Sequence, residues 1–350
     1  MFIQSTRLHA THVTTARYLY SASGHAREGV APPGILHRWK RFLGCLRYIE
    51  TFRGWLSDPA DWALRQALAH RPSTVTLVSR PYLHRGWPAC RKLAAIRDHY
   101  RLVAGRYSFL GFEPNGSIRL AGLDEALTGD ADNSSPIGAL ELRLDNPGWF
   151  EYEGELTLTL LAGAQRLYSV VFTLGLIEGK VVAWVGALQG QGTPEALDVY
   201  RRLTHRLHGL RPRDLVVTAF RQLCGSLHVE RILAVSDETR ICSDPYFASR
   251  AAVFASYDTA WMENGGTPAA AAAARRHPEA GLFELSVVPA RRADAEIPSR
   301  KRAQYRRRYA MLDGLTAQID AAISAEQQKS GVAKSHVRCG HPDTRAQVLA

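Results

Sequence analysis

Two clusters late in the chain carry side chains able to do chemistry. The first is Tyr257, Asp258, Trp261, Glu263 and Asn264, followed by Gly265-Gly266. A carboxylate beside an aromatic ring can have a raised pKa and act as a general base, and a tyrosine hydroxyl can act as a general acid. Glu263 is preferred to Asp258 as the base, because a double glycine lets backbone approach a ligand. Trp261 and Asn264 are then substrate contacts. In a plainer account Tyr257 and Trp261 are core, Asp258 and Asn264 are caps, and the glycines turn the chain. Asp237 follows the apolar run 231–235 and can meet a ligand amine, or simply cap the next turn.

The second cluster is Arg300-Lys301-Arg302 with Tyr305-Arg306-Arg307-Arg308. On a helix, Lys301, Tyr305 and Arg308 share one face, and Arg302, Arg306 and Tyr309 share the next. Cations near a helix N-terminus oppose the dipole unless an anion is close. That conflict points to phosphate, a polyphosphate cofactor or an RNA backbone. The alternative is a solvated arginine face paired with Glu296 or Asp294. Cys224 and His228 stand four apart on a helix, a spacing that serves a nucleophile pair or, more simply, an apolar face that buries both. His336, Cys339 and His341 resemble metal ligands only in type, and no metal site is assigned. Walker, dinucleotide, zinc-finger and serine-elbow motifs are absent.

These residues need elements to position them. Stretches 155–161, 166–174 and 180–188 read as three strands rich in Leu, Val, Thr, Tyr, Phe and Trp. Their short connections predict an antiparallel meander. The third strand runs into Gln189, Gly190 and Gly192, then a helix from about Pro194, where an early proline is well placed. A glycine-bearing turn opening a helix can receive an anion. Helical stretches 195–208 and 212–227 follow, then a buried strand over 231–237. Strand–helix–strand order predicts an α/β fold: a mixed, largely antiparallel sheet flanked by helices. Ligands gather beyond strand C-termini, which places Asp237 near Gln189 and Gly190 if the strands are neighbours. A last helix over 299–323 carries the stripe Tyr305, Tyr309, Leu312, Leu315, Ile319 and Ile323.

The N-terminal part reads as mostly helical. Stretch 36–52 is a helix with Leu36, Trp39, Leu43 and Leu46 on one face and His37, Lys40, Arg41 and Arg47 on the other. A basic amphipathic helix can dock on an anionic surface, but packing against the core is the preferred reading. Thr74–Val78 is expected as a buried strand or linker, and 108–112 and 117–120 as strands. The boundaries predicted are a poorly ordered segment over 1–34, a mostly helical part over 35–135, an α/β catalytic or binding domain over 136–325, and a disordered tail over 326–350. The polar loop 124–135 is the seam.

At 350 residues the chain can bury a sizeable core, and 46% hydrophobic with 22% charged is a globular composition. A net charge of +11 suggests an acidic partner, RNA or an anionic membrane surface among them, or an arginine-rich genome writing arginine onto solvated faces. Five cysteines at irregular spacing give no disulfide framework. With neither a signal-type run nor an apolar span, the expected place is cytoplasmic, with peripheral contact at the inner membrane open.

The chain resembles the VirK/YbjX family, a family of uncharacterised function. The residues that carry this are Val185-Gly186-Ala187-Leu188-Gln189-Gly190, Val235-Ser236-Asp237, Tyr257-Asp258 with 261–266, and above all 296–303 and Tyr305-Arg306-Arg307-Arg308-Tyr309. Arg300 stands where the family often has lysine. The resemblance implies a link to virulence and tolerance of antimicrobial peptides, with no settled catalytic residues. The core is also similar to the acyl-CoA-dependent N-acyltransferase (GNAT-like) fold, whose backbone amides after a central strand hold the cofactor pyrophosphate. That likeness puts Gln189, Gly190 and Gly192 at the pyrophosphate, with Lys301, Arg302, Tyr305 and Arg308 as further cofactor contacts. The usual glycine-and-arginine signature is incomplete, and two helical stretches rather than one precede Arg231. The function expected is acyl or aminoacyl transfer from acyl-CoA or aminoacyl-tRNA to an amine of a peptide or small molecule. A non-catalytic basic adaptor for RNA or anionic lipid is the alternative.

Overall fold

The computed structural model describes residues 12–25, 34–111, 116–123, 138–247, 255–269 and 279–330. An N-terminal helical region comprises α1 (His12–Ser23), α2 (Ile35–Leu46), α3 (Ile49–Ser57), α4 (Trp62–His70) and α5 (Ala89–Gly105). A single sheet follows, made of β1 (Ser117–Gly122), β2 (Leu140–Asp145), β3 (Leu156–Ala162), β4 (Gln165–Ile177), β5 (Lys180–Gly190), β6 (Arg231–Val235), β7 (Thr267–Pro268) and β8 (Leu282–Leu285). Its order is β1-β2-β3-β4-β5-β6-β8-β7, and among the described strands only β5 and β6 run parallel. Helices α6 (Pro194–Arg206) and α7 (Pro212–Ser226) join that parallel pair. Helix α8 (Tyr257–Glu263) follows β6, and the 31-residue α9 (Ser299–Lys329) comes last. The expected mixed, mainly antiparallel sheet flanked by helices is what forms.

Local chemistry explains the meander. Glu178 and Gly179 both take positive φ, 51° and 78°, between β4 and β5. Two such residues make the turn whose twist matches paired strands. Strands β3 and β5 are buried at nearly every position because helices cover both sheet faces. Phe220 of α7 packs at a tilt against Phe172, 4.8 Å between centroids, while Tyr82 on the opposite face reaches the neighbouring Thr173. A buried polar knot sits where the N-terminal helices meet the sheet. There Glu155 accepts hydrogen bonds from Arg71 (2.6 Å), Tyr100 (2.6 Å) and Tyr82 (3.0 Å).

Helix α9 has two halves. From Met311 on it buries Leu312, Leu315, Ile319 and Ile323, and the Gln318 side-chain amide both accepts from the Gly122 N–H (2.8 Å) and donates to the Gly122 carbonyl (3.2 Å). Its first part, up to residue 310, buries no side chain.

Several expectations change. The segment 1–34 was expected to be poorly ordered, yet α1 lies within it, because Thr15, Leu19 and Ala22 recur at helical spacing and are buried. Residues 72–79 and 108–110 form 3-10 turns rather than strands. β1, before the proposed seam, pairs with β2 after it, so one sheet spans that position. The seam loop itself, and most of the tail, lie outside the described residues, while 326–329 continue α9. Leu36, Trp39 and Leu43, expected against the core, are 84%, 46% and 60% exposed. Helical periodicity gave the stripe without saying which way it turns.

Candidate functional site

The parallel strands part company near their C-termini. β5 and β6 pair only from Val182–Val185 against Arg231–Ala234. β5 continues to Gly190 alongside β4, whereas β6 ends at Val235, whose carbonyl accepts from the Trp261 indole N–H at 2.8 Å. Trp261 is thus a buried structural group at the mouth of the gap.

Tyr257 enters the gap from the first turn of α8. It is buried, and it hydrogen-bonds the Leu188 backbone, which has no β6 partner at that level. Burial drives its phenol well above its ordinary pKa, so it holds its proton at neutral pH. The Arg240 guanidinium lies 4.9 Å from the ring centroid and 3.1 Å from Asp237 Oδ1. Asp237 accepts from the Ser256 hydroxyl (2.6 Å) and the Tyr257 N–H (2.8 Å), and its own N–H donates to Asp258 (2.7 Å). Burial alone would raise Asp237, but those two hydrogen bonds, with Arg240, bring its pKa below the usual value. Asp237 and Asp258 therefore lock the start of α8 to the end of β6.

Three further residues complete this cluster and escaped sequence reasoning. Gln189 donates to Glu153 Oε1 at 3.3 Å. Glu153 is close enough to Tyr257 and Cys242 for its charge to act on both. Burial raises the half-buried Cys242 thiol, and Arg240 opposes the rise. Glu153 reaches the gap because its backbone crosses β5 at Gly186, where a Cβ would sit 2.0 Å from the Glu153 carbonyl oxygen. The glycine before Ala187 was the available signal. For Arg240 and Cys242 the sequence carried none beyond their closeness to a strand end.

The turn after β5 is exposed at Gly190 and Gly192. Gly190 packs against the Tyr168 ring, and the Gln191 N–H donates to the Tyr200 hydroxyl at 2.7 Å. Thr193 caps α6 by accepting from the Ala196 N–H at 3.3 Å.

The other predicted residues except Arg302 line a broad groove of about 1440 Å³ between α7 and α9. Glu263, Asn264, Lys301, Tyr305 and Arg308 are on its walls. Glu263 is clamped by Arg211 (2.9 Å) and by Arg213. The Arg211 hydrogen bond is the largest of the effects that lower its pKa, so it is a weak base at neutral pH. Asn264 donates to Asp214 (3.2 Å) and to the Ala260 carbonyl (2.9 Å). Arg308 donates to the His208 carbonyl (2.9 Å) and lies 4.3 Å from the Tyr305 centroid. Arg302 donates to the Ile297 carbonyl (3.1 Å), and Arg306 stands 3.8 Å from Asp294. Lys301, Arg300 and Arg307 are exposed.

The glutamine-bearing turn and the arginine helix were expected to meet on one ligand. Gln189, Gly190 and Gly192 do not line this groove. Tyr168 stands against Gly190, and it senses the charges of Arg213, Asp214 and Arg211 on the groove side. The predicted residues thus fall into two neighbouring places. Among the described residues no group of three His, Cys, Asp or Glu side chains is placed to hold a metal ion, and no helix is long and apolar enough to cross a membrane. His336, Cys339 and His341 lie outside the described residues.

Fold and site define a mixed α/β protein with a split parallel pair and a cationic groove beside it. The chain belongs to the VirK/YbjX family: residues 35–321 match the family described as "Protein of unknown function (DUF535)". It is 30% identical over 306 residues to "Uncharacterized protein YbjX" of Escherichia coli (strain K12), covering 86% of this chain and 88% of that one. Two uncharacterised proteins of Haemophilus influenzae are 27% and 29% identical over 155 and 139 residues, covering 44% and 40% of this chain and 48% and 43% of theirs. No solved structure matches.

Proposed function

We propose that the protein transfers an acyl or aminoacyl group from a phosphorylated carrier, acyl-CoA or aminoacyl-tRNA, to an amine of a peptide or small molecule. The observation that carries this is the parting of β5 and β6 with Tyr257 between them. Where the two parallel strands separate, Trp261 takes the Val235 carbonyl and Tyr257 meets the Leu188 backbone, which sets the Tyr257 hydroxyl in the gap for a ligand. The return of β8 between β6 and β7 supports a GNAT-like reading of the sheet. On this reading the exposed turn at Gly190 and Gly192 and the start of α6 receive the carrier's phosphates. Gln189 orients Glu153, which takes the proton of the attacking amine. Nitrogen bonds to the acyl carbon and the carrier's sulfur or oxygen leaves with the bond electrons; an alkoxide takes the Tyr257 proton, while a thiolate, less basic than this buried phenol, leaves as the anion with a hydrogen bond from Tyr257. Glu153 thereby fills the role expected of Glu263, whose arginine clamp weakens it as a base.

Isothermal titration against acyl-CoA species and against aminoacyl-tRNA tests this. Saturable binding of one class is expected, and no binding of either would end the proposal. A second reading rests on the exposed first half of α9, where six cations lie between Arg300 and Arg308. There the protein is a non-catalytic adaptor whose exposed α9 cations bind an RNA backbone.

A further inference from the structure

We propose that α2 seats the protein on an anionic lipid bilayer. Ile35, Leu36, Trp39 and Leu43 are 76%, 84%, 46% and 60% exposed. At 100° per residue these four fall within an arc of about 100°. Lys40 and Arg47 border that arc on one side, His37 lies just beyond, and all three are exposed. α2 contains no acidic residue. Its opposite edge is fixed to the protein: Cys45 is buried, and Arg38 donates to the Tyr20 carbonyl at 3.2 Å while lying 4.0 Å from that ring's centroid. Trp39 is held between Tyr20 (5.3 Å) and Phe42 (5.7 Å). The result is a rigidly mounted helix with an apolar ridge outward, an indole at its centre and cations alongside. Those are the features of a helix lying in the headgroup region: apolar side chains enter the acyl boundary, the indole sits at the interface, and Lys and Arg meet lipid phosphates.

Charge and area favour a bilayer over a second copy of the chain. A stable protein interface needs roughly 800 Å² from each partner, and the ridge spans only residues 35–43, about 13 Å of helix. Two copies would also bring Lys40 and Arg47 of each chain close together, on molecules that each carry a net charge of +11. An anionic bilayer satisfies both the ridge and the cations.

Co-sedimentation of the full chain with vesicles of phosphatidylglycerol and phosphatidylcholine, against phosphatidylcholine alone, reads the proposal. Binding to the anionic vesicles is expected, with Trp39 emission quenched by brominated acyl chains and that quenching lost in Trp39→Phe. The double variant L36S/L43S should weaken binding by at least about tenfold, through lost apolar burial, with an unchanged melting temperature. Lys40→Gln and Arg47→Gln should each cost about fivefold on anionic vesicles only. The α9 cations can attract anionic vesicles too, which is why the leucine variant decides. Binding unaffected by L36S/L43S overturns the proposal. So does a wild-type dimer that this variant converts to monomer, or a fall in melting temperature that shows the ridge covered by the chain itself.

Discussion

Tyr257 combines burial, a backbone bond to Leu188 and the overhead charge of Arg240. Its phenol keeps its proton at neutral pH, donates a hydrogen bond to a departing thiolate, and gives the proton up only to the more basic alkoxide. If it is the acid, Tyr257→Phe should leave carrier affinity within about twofold and lower turnover by about 10² or more. Glu153→Gln should lower turnover similarly and flatten the acidic limb of its pH profile; single-turnover kinetics across pH would check both. Gly186→Ala forces a methyl into the Glu153 carbonyl and should destabilise by about 3 kcal/mol, read by chemical denaturation. Tyr257, Gln189 and Asp237 were legible because their types stand at a strand end or beside carboxylates. Glu153 was not, since its place depends on a backbone crossing thirty-three positions along the chain, over a residue with no side chain.

α9 shows what periodicity can and cannot say. The stripe from Tyr309 to Ile323 was readable at steps of three and four, and its apolar members are buried. The basic turns before it carried no packing signal, so their exposure follows from composition. If they hold a polyanion, Arg306→Gln with Arg307→Gln should weaken RNA binding uniformly across sequences. The slope of log affinity against log salt should become shallower by about 0.7 for each lost contact, measured by fluorescence anisotropy. An unchanged slope would place the RNA elsewhere. Strand–helix–strand order was legible from 180–237, and the parallel pairing followed. The 3-10 turns at 72–79 and 108–110 were not, because buried apolar runs of that length suit a strand equally well.

For the molecule as a whole, the buried knot around Glu155 sets a pH dependence. Burial pushes His99 down from 6.5 to about 4, consistent with its Nδ1 accepting the Leu174 N–H. A histidine lowered in the fold is protonated first in the unfolded chain, so stability falls as pH drops from 6.5 towards 4. Burial would raise Glu155, but the Arg71 charge and the hydrogen bonds of the two tyrosines hold it below 4.5. Its contribution is present above that value and is lost on further acidification. Both effects have the same sign. Melting temperature should therefore drop steadily from pH 7 to pH 4, and His99→Gln, whose amide oxygen can still accept from Leu174, should remove up to about 3 kcal/mol of that loss. A parallel loss in wild type and variant would rule His99 out as a cause. None of this was visible beforehand, because Arg71, His99 and Glu155 meet only once helix and sheet are docked.

The Gln318 amide bonded to Gly122 behaves as a one-residue stand-in for a neighbouring strand. Without it the outer margin of the sheet would offer its backbone to any other extended chain, which is how intermolecular aggregation begins. During synthesis that margin is laid down roughly two hundred residues before its cover emerges. Nascent chains halted in that interval should be the sticky ones, and exchanging Gln318 for leucine should lengthen the interval's effect into the finished protein.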